Sequence, residues 1–416
     1  VETADMSSAN VLPWVESRAE RVRIGQVLLM AILLVPISIT FADDGVSANY
    51  LFALLLVVAP RGYQRNYHAS AYIAFMILSL AVGIVMFSHL DATFLMRQFI
   101  SFSLMLFGVM LLFVRLSTRL EEFLIATVLC AVGYALTAMY MFTLGGFTLA
   151  EVYEVKGGLR EFITDWPQRY VVVLLFAFFV ALHRWKRGPH WAIADLVILA
   201  CIFMTFTRAA WLGVAAGLIA YVVMLLAGGN RGSGASLRQK IIVVTSVLLA
   251  TGALFYAAVN PDVAKAFGII YDNLTDISQT DTRHFSANQS EGERLDIYSE
   301  IIKTVEGNPF TGTGFAGAYL VIKGEGSAHG QYFDVLLRTG VIGLVIYLLF
   351  WGKLLRYYVR TDIGVAAGLI ALTVFGLFHE TTKLSYGALI LFFLLNKAYA
   401  AELPSGRSLR AGTVPA

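Results

Sequence analysis

The sequence predicts an all-α, polytopic membrane protein of about twelve transmembrane helices, and three observations carry that expectation. Of 416 residues, 58% are hydrophobic and 14% charged, and the mean hydropathy is +0.72. A soluble domain carries about 25% charged residues, and a water-soluble fold would have nowhere to put so much apolar surface. Apolar runs of near-spanning length recur along the chain, and Lys and Arg cluster in every second connection between them.

Taken in order, the predicted spans are 24–41, 48–60, 69–88, 98–114, 123–146, 168–183, 190–206, 209–227, 241–258, 340–356, 363–378 and 384–400. A span needs about 20 predominantly apolar residues, somewhat fewer when neighbours shelter it. The first run, Ile24 to Phe41, is long for a signal-peptide core and is read as a retained first helix. Runs 48–60 and 168–183 are short, and the stretch from Trp191 to Leu226 is too long for one span, so it must fold back near Thr205–Ala210.

Threading the chain with its amino terminus inside puts Arg61/Arg65, Arg115/Arg119, Arg184/Lys186/Arg187, Arg231/Arg238/Lys240 and Lys353/Arg356/Arg360 on the cytoplasmic side. Arg18/Arg21/Arg23 and Lys397/Arg407/Arg410 fall there too, so both termini are expected inside. Two outer segments exceed a simple connector: about 147–169, and about 260–338. The chain thus divides into spans one to nine over 1–259, an outer loop over 260–338, and the last three spans with a tail over 339–416.

Long loops with structure of their own are usually functional. In the second one, Glu291 to Val305 has helical periodicity, Asn308-Pro309 stops it, and Thr311-Gly-Thr-Gly-Phe-Ala-Gly reads as a flexible turn. An amphipathic stretch from Gln331 to Leu337 then leads through Gly340 into the next span. Cys130 and Cys201 lie inside apolar runs and read as buried thiols, with neither disulfide nor metal cluster expected. There is no Gly-rich nucleotide fingerprint, Walker motif or zinc spacing, so nucleotide-driven pumping is not expected, nor is a nucleic-acid partner.

Three residues stand out. Arg208 lies between two apolar stretches, Leu196–Phe206 and Ala209–Leu226, and an intramembrane guanidinium normally faces a cavity or a partner. The alternative is a hairpin turn that lifts it to lipid headgroups. Arg294 opens the helical part of the long loop, where a solvated ion pair with Glu293 or Asp296 is the plainer reading. His329 stands just ahead of the amphipathic stretch, as a general base or as a capping or interfacial residue. His89, His284 and His379 have less distinctive surroundings.

Pro309-Phe-Thr-Gly-Thr-Gly, then Ala328-His329, then Leu336-Leu337 with Gly340 and Gly343 ahead of an apolar helix, resembles the signature region of the O-antigen ligase and polymerase superfamily. Arg294, Pro309, Gly312, Gly314, His329, Gly340 and Gly343 occupy the family's places in order, and Phe206-Thr-Arg208-Ala-Ala-Trp-Leu-Gly resembles its Arg-containing segment between central helices. Gly330 stands where the family often has Asn, and Thr207-Arg208-Ala209 where it often has Ser-Arg-Gly; neither change removes a charged or proton-transferring group.

The resemblance implies a fold of the GT-C glycosyltransferase type in the bacterial inner membrane, with its active site on the periplasmic side. The implied reaction moves a glycan from an undecaprenyl diphosphate carrier to a sugar hydroxyl of lipid A-core. With no Asp-x-Asp or similar cluster to hold a divalent ion, arginines are expected to neutralise the diphosphate, and neither metal nor cofactor is expected. Arg208 and Arg294 are the expected catalytic cations, Arg160 and Arg169 the expected phosphate-binding pair, and His329 the base for an inverting attack. An O-antigen polymerase and a protein O-oligosaccharyltransferase use the same donor class, though the latter often carries extra carboxy-terminal soluble sequence. A transporter fits less well, because central spans lack deep acids, Asp195 being expected near a cytoplasmic end, and an elaborated outer loop bears Arg and His.

Overall fold

The computed structural model describes residues 22–34, 38–41, 44–47, 119–144, 168–205, 207–227, 287–314, 328, 330–381 and 385–402. These form a mainly helical bundle: α1 (Ile24–Leu34), β1 (Ser38–Phe41), β2 (Asp44–Ser47), α2 (Leu120–Leu144), α3 (Gln168–Arg184), α4 (Pro189–Met204), α5 (Arg208–Leu226), α6 (Ala287–Gly307), α7 (Gln331–Thr361), α8 (Ile363–Phe375) and α9 (Ser385–Glu402). Among the described residues three helices are long and apolar enough to cross a membrane, within Leu120–Tyr140, Ala209–Leu226 and Gln331–Thr361. The expected spans 48–60, 69–88, 98–114 and 241–258 lie outside the described residues.

The first span and the purely helical reading need correction. Helix α1 stops at Leu34, and the end of the expected span is a strand pairing antiparallel with β2, Ser38 opposite Ser47 and Phe41 opposite Asp44. Hydrophobicity alone made this run look like one helix. Pro36 lacks an amide hydrogen and disfavours helix at the residue before it, and the Ile39, Thr40 and Val46 side chains suit a strand.

The folded-back hairpin falls where the apolar length demanded it. Helix α4 ends at Met204, Thr205 caps it through hydrogen bonds to Cys201 and Ile202, and α5 starts at Arg208. Helix α6 ends at Gly307, just before the Asn308-Pro309 stop. The amphipathic stretch and the tenth expected span are one element, α7, broken at Gly340 by φ 64° into a short arm over 331–339 and a spanning leg over 341–361.

The centre of the bundle is α3, buried along its length from Tyr170 to Leu182, with α5 and α8 against it. Small residues allow the close approach usual between membrane helices. A Cβ at Gly213 would stand 3.0 Å from the Ala371 carbonyl, one at Gly368 2.9 Å from the Phe176 ring, and one at Gly364 would overlap His183.

These contacts also set the register. Leu175 meets Gly213 and His183 meets Tyr221, each pair 38 residues apart, so α3 and α5 run parallel in one register. Gly364 beside His183 and Gly368 beside Phe176 show that α8 runs antiparallel to α3.

At one end of the bundle, charges pair. Arg184, 2% exposed, reaches Glu121 at 2.9 Å, Asp362 at 3.4 Å and the Val180 carbonyl at 3.2 Å. Arg187 also pairs with Glu121, and Arg23 forks onto Glu122 at 2.7 and 2.9 Å. Asp362 additionally accepts the Val365 amide at 3.0 Å, capping α8. The links tie α1, α2, α3 and α8 together with residues that the loop-charge pattern assigns to the cytoplasmic side.

Candidate active site

The opposite end is built differently. With the 38-residue offset, Arg208 at the start of α5 lies level with Tyr170 and thus beside the level of Arg169 in the first turn of α3. The antiparallel α8 returns to the same level at Phe375–Gly376. Two parallel helices therefore begin side by side, each with an arginine and no acid in its first turn. A helix N-terminus carries about half a positive charge, so a cation there costs about 0.3–1 kcal/mol in the absence of an anion. Thr207 does not cap α5 through its side chain; its hydroxyl donates instead to the Thr205 carbonyl at 3.3 Å.

This level is recessed. Tyr170 stacks on Tyr134 with ring centroids 4.2 Å apart, and α2 continues ten residues beyond Tyr134 to Leu144, about 15 Å along its axis. From the paired Arg184 back to Arg169, α3 rises about 22 Å, short of the roughly 30 Å of a bilayer's hydrocarbon core. Asp195, buried in α4 nine residues before Met204, is some 13 Å along the helix from the turn that carries Arg208.

The segment expected to form the outer loop reaches this end through α7. The Gln331 amide donates to the Gly376 carbonyl at 2.8 Å, and the Thr381 hydroxyl to Gln331 Oε1 at 3.4 Å. A Cβ on Gly330 would stand 3.1 Å from the Leu377 carbonyl. Glu380, buried, accepts the Ala328 amide at 2.5 Å. His329 lies outside the described residues, but its neighbours on both sides are thus tied to the segment following α8.

Helix α6 packs on the short arm of α7 through Ile297, Ile301 and Val305 against Phe333, Leu336 and Leu337. Tyr298 stacks on Phe333 at 4.0 Å, and its hydroxyl lies 3.4 Å from the Cβ position of Gly330. Arg294 sits one turn before Ile297 and Tyr298, at a register position on that same face. Arg169, Arg208, Arg294 and the two neighbours of His329 therefore share one end of the bundle, while Arg160 lies outside the described residues.

Glu380 is the residue the sequence reading passed over. Its signal was an acid between two apolar runs on the side where the positive-inside pattern leaves few charges, next to a histidine, His379, that the fold buries against Phe375 at 4.6 Å. Gln331 and Thr381 carried no signal, because their pairing spans 50 residues.

A search of curated proteins finds no match to this chain. The sequence model of the O-antigen ligase family matches residues 193–348, from α4 and the turn before Arg208, across α6 and the Pro309 turn, into the spanning leg of α7, and over that stretch the chain is similar to the O-antigen ligase family.

Proposed function

We propose that this protein transfers O-antigen polysaccharide from undecaprenyl diphosphate to a sugar hydroxyl of lipid A-core at the periplasmic face of the bacterial inner membrane. The family match carries the class of reaction, a ligase or related polymerase-type transfer. The observation that carries the donor is the pair of recessed helix N-termini with Arg169 and Arg208 in their first turns. Anions favour that environment, and a diphosphate whose tail lies in the bilayer must be met below the membrane surface.

In this reading Arg208 and Arg294 bind the diphosphate through planar forks of donors that stay charged at any relevant pH, and Arg160 and Arg169 help to hold it. The lipid diphosphate is an activated leaving group, so its growing negative charge is what the cations stabilise. His329 removes the acceptor proton as the hydroxyl attacks the anomeric carbon from the opposite face, inverting it. Glu380, holding the Ala328 amide, and Gly376, holding that of Gln331, keep the segment bearing His329 in place.

The experiment incubates purified protein with lipid-linked O-antigen and, separately, lipid A-core or a second lipid-linked glycan, without nucleotide and in excess EDTA. Glycosylated lipid A-core is the expected product. Product only with the second lipid-linked glycan would make the protein a polymerase, and transfer restored only by Mg²⁺ or Mn²⁺ would end the arginine-only account of the diphosphate.

A further inference from the structure

The break in α7 is held by an exchange of backbone hydrogen bonds. In an unbroken helix the Val341 amide would donate to the Leu337 carbonyl four residues earlier. Here it donates to the Pro309 carbonyl at 2.7 Å, and Leu337 accepts instead from both the amide and the hydroxyl of Thr313, at 2.7 and 3.0 Å. The turn after α6 has thus inserted itself between the two halves of one helical bond, leaving neither group orphaned.

The two glycines of the family pattern are fitted to each other at this insertion. Gly312 and Gly340 have φ 62° and 64°, a region that side chains rarely adopt. A Cβ on Gly340 would stand 2.5 Å from Phe310 C and 2.7 Å from the Pro309 carbonyl, and one on Gly312 2.7 Å from the Gly340 amide nitrogen. Pro309, Gly312 and Gly340 are therefore parts of one joint, and Thr313, 1% exposed, is its side-chain member.

The joint lies at one end of the short arm of α7, and the segment carrying His329 adjoins the other. The arm is clamped at both ends, at Leu337 by Thr313 and at Gln331 by Gly376, with α6 packed along it. We infer that Thr313 is a positioning residue for glycan transfer: its hydroxyl fixes the tilt of the 331–339 arm about Gly340, and through it the placement of His329. The inference rests on His329 being the base. Nine helical residues make an arm of about 13 Å, so a tilt of roughly 5° moves its far end by about 1 Å. A misplacement of that size costs up to about 10²-fold in rate.

Thr313→Val keeps shape and amide but removes the hydroxyl donor, and Thr313→Ser restores it. The expected result is a kcat about 10- to 100-fold lower for Thr313→Val with donor KM unchanged, and near wild-type turnover for Thr313→Ser. Wild-type kcat in folded Thr313→Val, or equal loss in kcat and donor KM that Ser does not rescue, would overturn the inference. Amide hydrogen exchange tests it without any activity. The Gln331 amide, at the far end of the arm, should exchange at least 10-fold faster in Thr313→Val, with Thr313→Ala as the second variant, and an unchanged rate would refute the lever. If no substitution folds, the wild-type protein still decides: Gln331 and Val341 should exchange together, and separate exchange refutes the rigid arm. A wild-type protein that transfers no glycan while these exchange results hold would sink the functional reading and leave the joint standing.

Discussion

The end of the bundle holding Arg184 and the first turns of α3 and α5 at the other end place arginine differently, although that other end also holds one buried pair, Arg338 with Asp334 at 2.8 Å in the short arm of α7. At the end holding Arg184, each described guanidinium of the ion-pair set has a carboxylate: Arg184 has Glu121 and Asp362, Arg187 has Glu121, and Arg23 has Glu122. At the other end Arg169 and Arg208 start parallel helices whose first turns contain no acid, so the helix dipoles oppose the charge they carry. Paired charges hold helices in place, and cations set on positive helix ends favour an incoming anion. Substitutions at the first end should therefore cost stability, and those at the second should cost transfer.

The largest effect is expected at His329. His329→Gln should lower transfer by about 10²–10⁴-fold, the usual contribution of positioned acid–base catalysis, with donor binding little changed. Activity of the parent protein should also fall on the acid side, since protonation of the imidazole removes the lone pair that accepts the proton. Near-normal turnover from a monodisperse, donor-binding His329→Gln protein would leave the histidine a structural part.

Next comes Arg208. Lys keeps the charge but offers a point in place of a fork, so Arg208→Lys should lose much of the activity and Arg208→Ala more, about 10- to 100-fold for the loss of charge-assisted hydrogen bonds. The same order is expected at Arg294. Full turnover in folded Arg208→Ala would make the residue an interface anchor and erase the contrast between the two ends.

Arg184 supplies the opposite case and the smallest effect on chemistry. Arg184→Ala strips the buried partner from Glu121 and Asp362 and should lower the unfolding temperature in detergent. The cost is about 1–3 kcal/mol, less than for a fully buried pair because Glu121 is one-third exposed. Turnover per folded molecule should stay within about twofold if the catalytic end is about 20 Å away along α3. A selective loss of turnover with unchanged stability would mean that the two ends are coupled.

Much of the helical framework was legible because burial in lipid or in a helical core leaves a local mark. The apolar runs at 168–183, 209–227 and 384–400 coincide closely with α3, α5 and α9, and the fold-back before Arg208 followed from length alone. The same logic failed at 38–41, where the apolar run continues but the chain forms a strand. The turn at Pro309 was visible as a break, but not as the partner of Gly340, because nothing local tells a flexible turn from one whose carbonyl replaces a helical acceptor. Glu380 escaped notice for a similar reason: its role is an amide 52 positions away.

By itself the sequence determined the mainly helical, membrane-embedded character, the separation of charges and the motif residues, since hydrophobicity, helical period and glycine or proline placement act within a few residues. Tertiary structure alone decided that Arg169 and Arg208 begin parallel helices at one recessed level, that Glu380 and Gly376 hold the chain on either side of His329, and that Thr313 closes the break in α7. Each of these is a relation between residues 24 to 52 positions apart. Such relations are set by which helices pack, in which direction and in which register, and a linear pattern of side chains does not encode them locally.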